Sequence, residues 1–396
     1  MREEFPFFAQ HPDLVYLDSA ATTQKPQGVI DALTRFYTAE NANIHRGLYD
    51  LAAQTSMKYE AVRKKVSGLL NAADPHEIIY TSGTTASINL VAQSFLGPRL
   101  KAGDEVLISA MEHHANLIPW QMVCRQNGAK IRVIPLLKDG QIDIKAFQEM
   151  LSSRVKMLAV VHISNSLGTI NPVAEMIQMA HKYQIPVLVD GAQSTAHYHI
   201  DVQSLEADFF TFSGHKLFGP TGIGVLYGKM KHLEGMQPVT FGGDMIREVS
   251  YEEASFAPVP RRFEAGTTHI AGVIGLGAAI DFVQGLDQKW VQNHLHELKA
   301  YATEKLSGIN GLRLIGTAPQ KSAIFSFVLY QVHPHDVATF LGTDNIAIRA
   351  GHHCTQPLMT RLELPATTRA SCSIYNTVSD IDRLVDGIRH IQEFFG

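Results

Sequence analysis

The chain is poor in cysteine: Cys124, Cys354 and Cys372 are the only three in 396 residues. So few, spread so far apart, exclude a disulfide framework and point to a reducing compartment, with the cytoplasm as the default. An excess of charge is missing too. The formal net charge is -4 and no block of lysine or arginine occurs, which argues against nucleic acid or an anionic membrane surface as the partner and favours small substrates or protein partners. No apolar run reaches the length of a membrane span. The amino terminus, MREEFPFFAQHPDLVYLDSAA, carries charges early and lacks an apolar stretch followed by a cleavage site, so no export signal is expected there. Repeats, low-complexity tracts and flexible linkers are likewise absent.

What the chain has is apolar material: 45% of its residues are hydrophobic and 18% charged. A length of this order suggests two domains. From residue 77 onward, apolar β-rich runs alternate with helical patterns: EIIYTS then TASINLVAQSF, EVLIS then ANLIPWQMVCRQNG, IRVIPL, VKMLAVVHIS then VAEMIQMAHKYQ. That rhythm predicts an α/β fold with a mainly parallel sheet. Strands such as VKMLAVVHIS and IPVLVD are apolar almost throughout, as expected where helices cover both faces. Residues 219–266 break the rhythm and read as loops and short strands. A helical stretch over 271–306 then leads into a second α/β pattern with LRLIG, AIFSFVLY and NIAIRAG, so a smaller C-terminal domain is expected from about residue 285 to 396.

In open α/β sheets ligands bind beyond the carboxyl ends of strands, so the residues that close each strand are the site candidates. VDGAQ ends an apolar strand in Asp190, with Gln193 close behind. A carboxylate there is costly without a positive partner, and a protonated pyridine nitrogen is one such partner; the plain alternative is a turn or helix cap. DFFTFSGHKLFGPTGIG runs another strand into Ser213, His215 and Lys216 on a glycine-rich turn, the composition of a Schiff-base lysine beside a phosphate, although most lysines are simply solvated. TSGTTASINL places Gly83, Thr84 and Thr85 at a helix start, where free amides and the helix dipole favour phosphate; ordinary N-capping is the rival reading.

MEHHANLIPW sets His113 and His114 between a strand and a helix, where one imidazole can stack on a flat cofactor ring and carry protons near neutral pH. Zinc is the competing reading for a chain with 19 histidines. No HExxH motif or cysteine knuckle supports it, so no metal is expected. IAIRAGHHCTQPLM ends a strand in Arg349, Gly351, His352, His353 and Cys354; a cysteine on such a polar loop is suited to attack as thiolate. Cys124 reads as a small buried thiol, and packing is the favoured role for Cys372.

Together and in this order, YLDSAAT, HRG, GTT, EHHAN, SNSLGT, VDGAQ, SGHK, GPTGIG, FEAGT, RAGHHC and RAS with YNT resemble the cysteine desulfurases of the class V aminotransferase superfamily, in particular the SufS-type (group II) branch. The resemblance covers nearly the whole chain. It implies the fold-type I transferase architecture of pyridoxal 5'-phosphate enzymes: an N-terminal segment, 1–15, packing on the small domain; a large cofactor domain, 16–284; and a small domain, 285–396, carrying the cysteine loop. It makes Lys216 the Schiff-base lysine, Asp190 the partner of the pyridine nitrogen and His113 the stacking residue. Gln193 would bond the cofactor's phenolic oxygen, and Thr84, Thr85, Ser213 and His215 its phosphate, with Thr267 reaching in from a second subunit of a homodimer. Arg369 and Asn165 would hold the substrate carboxylate, with His45 and Arg349 lining the pocket.

The chemistry so implied is conversion of L-cysteine to L-alanine, with the sulfur left on Cys354 as a persulfide and passed to an acceptor protein of the SUF iron–sulfur assembly system. Selenocysteine lyase activity would use the same groups. The sequence departs from relatives at Thr268–His269, where a Pro-Asn pair is common, and at Ser82, where Arg is frequent; the first touches the expected subunit contact, the second leaves the phosphate residues intact. An ordinary aminotransferase would share the cofactor site but yield a keto acid and need no exposed cysteine. A non-catalytic sulfur-carrier scaffold would show no turnover.

Overall fold

The computed structural model describes residues 1–395; Gly396, the last residue of the expected C-terminal domain, lies outside the described residues. Seven strands build the main sheet: β1 (Ile78–Thr81), β2 (Glu105–Ser109), β3 (Lys130–Ile134), β4 (Val155–Val161), β5 (Val187–Asp190), β6 (Phe209–Ser213) and β7 (Gly224–Gly228). Their order is β1-β7-β6-β5-β4-β2-β3. All neighbours are parallel except β7, which runs antiparallel between β1 and β6. This antiparallel strand lies within the region read from sequence as loops and short strands. Strands β2, β5, β6 and β7 are buried along their whole length, because helices cover both faces of the sheet.

Those helices take their place by one-sided burial. In α1 (Val173–His181) the buried residues are Val173, Met176, Ile177 and Ala180, the i, i+3, i+4, i+7 stripe that faces a sheet. The stretch read as one helix over 271–306 is two, α2 (Ile270–Gln284) and α3 (Gln288–Ser307), bent by 83°. The break has a local cause: the Asp287 side chain accepts from the amides of Lys289 and Trp290 and starts a new helix. Among the described residues no single helix is long and apolar enough to cross a membrane.

A second, antiparallel sheet of order β8-β9-β11-β10 is formed by β8 (Leu312–Ile315), β9 (Ile324–Leu329), β10 (Arg349–Gly351) and β11 (Thr367–Ser371). It packs with α3 and α4 (Val378–Phe395) around a core of its own that runs from Leu298 to Ile391 and includes Val15 and Leu17. Val15–Tyr16 pairs in parallel with Ile346–Ala347, whereas Phe5 packs on Phe218, Phe282 and Tyr375. The amino-terminal segment therefore touches both bodies. In β10 and β11, Arg349 and Arg369 stand opposite each other, and this register carries two guanidinium groups to the carboxyl edge of the main sheet.

Candidate active site

The carboxyl ends of the parallel strands open on a cavity of about 190 Å³. Thr84, Thr85, His113, Asn165, Asp190, Gln193, Ser213, His215, Lys216, Arg349 and Arg369 all line it. Several arrive at the end of an element: Asp190 closes β5 and Ser213 closes β6. Lys216 ends the short helical turn Gly214–Lys216 that follows β6. Thr84 begins the helix Thr84–Leu90, which continues as a π-helical stretch, Val91–Leu96. Of the residues singled out from sequence, Cys354 stands beside this cavity, while His45 and Thr267 lie away from it.

The phosphate-type cradle is built from Thr84 and Ser213. Ser213 Oγ accepts from the Thr84 amide at 2.9 Å and donates to Thr84 Oγ1 at 3.0 Å. Gly83 adopts φ +149° here. A Cβ on its neighbour Gly224 would stand 2.4 Å from the Gly83 Cα, so the turn can press onto β7 only because both residues are glycine.

Charge in the cavity is poorly compensated. Burial pushes the Lys216 amine down to about 8, against the pull of Asp190. Burial also raises the Asp190 carboxyl, opposed by the Ala192 amide, which donates to Oδ1 at 3.0 Å, and by Lys216. Asp190 Oδ2 has no donor among the described residues. Burial and the Lys216 charge take His113 down to about 3. Its Nδ1 accepts from the Ala115 amide at 3.0 Å, which puts the proton of the neutral ring on Nε2. His215 falls to about 4 through burial and the nearby Lys216 and Lys25.

On the opposite wall Arg369 is buried. Its Nη1 donates to the Asn165 carbonyl at 3.0 Å and its Nη2 to Asp18 Oδ1 at 2.8 Å. Arg369 Nε and Asn165 Oδ1 are buried without a hydrogen-bond partner. Orphaned polar atoms of this kind are rare in folded proteins, and these two belong to residues that line the cavity.

Cys354 is half-buried. Its Sγ lies 3.7 Å from Arg349 Nη2, so one guanidinium both lines the cavity and faces the thiol. The Cys354 carbonyl accepts from the His114 amide at 2.7 Å, and Asn165 Nδ2 donates to the His353 carbonyl at 2.7 Å.

His45 does not line the cavity of its own chain. It has φ +68°, its ring packs edge-on against Tyr59 and its Nε2 is 3.7 Å from Glu60 Oε1. Thr267 is exposed on the loop beyond Gly266; its neighbour Thr268 meets the Tyr59 hydroxyl at 3.0 Å. His45 and Thr268 thus meet the same tyrosine, while the expected role of Thr267 is in a second subunit's site rather than its own.

Two contributors were not singled out from sequence. Asp18 anchors Arg369, and its place in the YLD run was the available signal. Glu112 is buried beside His113, bonded to Ser109 Oγ at 2.5 Å, Asn116 Nδ2 at 2.6 Å and the Val161 amide at 3.0 Å. Burial outweighs those bonds and pushes its carboxyl up to about 8. Its signal was an acid placed directly after an apolar strand. Among the described residues no group of three or more His, Cys, Asp or Glu side chains is placed to hold a metal ion.

Known proteins resemble the chain in sequence and in fold. Residues 15–384 match the aminotransferase class-V family. The chain is 50% identical, over its whole length and 98% of the relative, to a probable cysteine desulfurase of Halalkalibacterium halodurans. Among solved structures it resembles the cysteine desulfurase CsdA of Escherichia coli in an S-sulfonic acid form, with TM-score 0.92 and 42% identity over 99% of this chain and 98% of that one. It also resembles the apo cysteine desulfurase of Thermococcus onnurineus NA1, with TM-score 0.94 and 34% identity over 98% of this chain and 96% of that one. By family match, full-length identity and fold together, the chain belongs to the class V aminotransferases.

Proposed function

We propose that this chain is a pyridoxal-phosphate-dependent cysteine desulfurase that takes the sulfur of L-cysteine onto Cys354 and releases L-alanine. The observation that carries the reading is the pairing of two groups across one guanidinium: Lys216 inside the cavity, and Cys354 at its edge against Arg349.

The cavity fits the cofactor. Asp190, a buried residue that lines the cavity with no donor to its Oδ2 among the described residues, suits a protonated pyridine nitrogen, and the Thr84 and Ser213 hydroxyls at a helix start suit a phosphate. His113 and Gln193 line the same space. When bound, pyridoxal phosphate supplies an electron sink for bonds broken next to an amino group.

The protein's own groups do the rest. Arg369, a buried cation on the cavity wall with its Nε unpaired, offers its guanidinium to the substrate carboxylate. Lys216, its amine brought down to about 8, can hold and return a proton at Nζ near neutral pH. Cys354 Sγ forms a bond to the substrate sulfur as the carbon–sulfur bond breaks, leaving a persulfide on the enzyme. The Arg349 guanidinium stands 3.7 Å from the sulfur that must attack and ties it to the cavity edge.

The active form in this reading is a homodimer. What supports it is the position of His45, whose ring packs on Tyr59, and of exposed Thr267, whose neighbour Thr268 meets the same tyrosine; both stand outside their own cavity and are free to serve that of a second subunit. The unit 285–396 carries the cysteine loop against the cofactor unit 16–284. The short RAGHHC loop supports the SufS-type branch, with an acceptor protein of iron–sulfur assembly and a cytoplasmic site of action. Cysteine and selenocysteine would share every contact, and their relative turnover separates the two activities.

Incubation with L-cysteine, with and without reductant, should add the mass of one sulfur to the Cys354 peptide only without reductant. Cys354→Ala should keep the cofactor's visible absorbance and lose alanine formation. Alanine formed at an undiminished rate by Cys354→Ala would overturn the assignment.

A further inference from the structure

Cys354 is held in a backbone conformation that side chains disfavour. Its φ is +59° and that of His353 is +52°, while the Thr355 amide donates back to the His352 carbonyl at 2.9 Å. Positive φ at both central positions with an i to i+3 bond is the pattern of a type I′ turn, which normally calls for Asn-Gly. Two residues with full side chains in such a turn need external support.

Besides the bonds from the His114 amide and Asn165 Nδ2 to the two turn carbonyls, support comes from a line of buried hydroxyls. Thr355 Oγ1 donates to the same His352 carbonyl at 2.8 Å, doubling the bond that closes the turn. A hydroxyl has one proton, so toward Ser166 the Thr355 oxygen can only accept, and the 2.7 Å contact must be Ser166 donating to Thr355. The Ser166 carbonyl in turn accepts from Ser326 Oγ at 2.6 Å. Ser166, Ser326 and Thr355 have no exposed surface. The line runs from strand β9 of the second sheet, through the loop after β4 of the main sheet, to the residue next to the thiol.

We propose that the Ser166–Thr355 hydroxyl pair is a positioning device that keeps the turn in its strained form and the Cys354 sulfur against Arg349 at the cavity edge. This rests on the reading of Cys354 as the nucleophile. Without the pair, the turn relaxes toward negative φ and the sulfur spends less time in line with bound substrate. No cavity-lining side chain bonds to either hydroxyl, so the effect falls on turnover more than on binding.

Thr355→Val keeps the volume and removes both hydroxyl bonds. It should lower kcat for alanine formation about ten-fold, the scale of leaving buried polar partners unpaired, with KM for cysteine and the cofactor's absorbance unchanged. Iodoacetamide should alkylate Cys354 about three-fold faster as the turn opens. Thr355→Ser should restore both values, and Ser166→Ala should shift both in the direction of Thr355→Val, which covers the case in which Thr355→Val fails to fold. Unchanged kcat and alkylation in Thr355→Val or Ser166→Ala would overturn the proposal, as would a Thr355→Ser protein as impaired as Thr355→Val. The alkylation arm needs no turnover. A wild-type protein that makes no alanine would therefore sink the desulfurase reading, while the alkylation rates would still decide the role of the pair.

Discussion

Two buried aspartates at opposite ends of the main sheet are treated in opposite ways. Asp208 precedes β6 at the amino end of the sheet. Its carboxylate takes His181 Nε2 and His232 Nε2, each at 2.8 Å, and the Val187 amide at 2.9 Å, with Lys229 Nζ at 3.4 Å. Burial alone would raise its carboxyl, but these partners hold it well below the ordinary carboxylate range. Val187 begins β5, and Asp190 ends the same strand. There burial prevails, one amide donates to one oxygen, and the carboxyl is raised. A buried charge that the protein satisfies by itself is structural; one left short of partners is kept for a ligand.

Asparagine at each position tests this contrast most severely. Asp190→Asn should cut alanine formation by about 100-fold or more, the scale for loss of a key electrostatic contact, while the urea unfolding midpoint of the apoprotein stays level or rises. Asp208→Asn should do the reverse, losing about 3 kcal/mol of stability because His181, His232 and Lys229 lose their buried counter-charge, with kcat of the folded enzyme unchanged. Because the folded Asp208 carboxyl is depressed, its contribution is in place above the ordinary carboxylate range and is lost as pH falls through the depressed value. Asp208→Asn should accordingly flatten the acid limb of the stability curve. If both variants lose only stability, the two ends do not differ as argued.

The same contrast explains what could be read from sequence. Asp190, Ser213 and Lys216 are polar residues that terminate otherwise apolar strands, and that local anomaly is visible in one dimension. Asp208 also abuts an apolar strand, yet its partners His181 and His232 come from helices on either side of it in sequence, so nothing local separates it from a functional acid. The Asp18–Arg369 pair joins residues 351 positions apart, and only the isolated bridge of Asp18 to Ser371, at the end of Arg369's strand, brings them together. The break between α2 and α3 hinges on the Asp287 cap, a single side chain inside a continuous helical pattern. His45 was placed at the pocket by resemblance, whereas in its own chain its ring packs on Tyr59, a contact between residues of two separate segments that no local pattern announces.

A smaller effect separates Lys216 from its histidine neighbours. Attack on the cofactor's aldehyde requires the neutral amine, so the rate at which apoprotein regains its visible absorbance with added pyridoxal phosphate should rise with pH and level off above about 8. A solvated lysine would keep that rate rising toward its ordinary value near 10.4. His113, brought down to about 3, is neutral throughout, so no step is expected near pH 6.5. Continued rise beyond pH 9 would show that burial does not tune Lys216.

The smallest expected effect concerns a second pair of like residues. Cys372 borders a small void of about 30 Å³ that Lys216 also lines, so nearness to the lysine alone would make it as good a nucleophile as Cys354. It is not, because burial pushes its thiol up to about 12, and Cys124 likewise to about 11. At pH 8 brief iodoacetamide treatment of the native protein should therefore modify Cys354 and spare the other two, as peptide masses would show. Cys372→Ala should leave kcat unchanged and cost about 1 kcal/mol for the lost sulfur contacts. A drop in kcat with stability intact would place Cys372 in the reaction and break the rule that a satisfied, buried group beside the site is part of its wall.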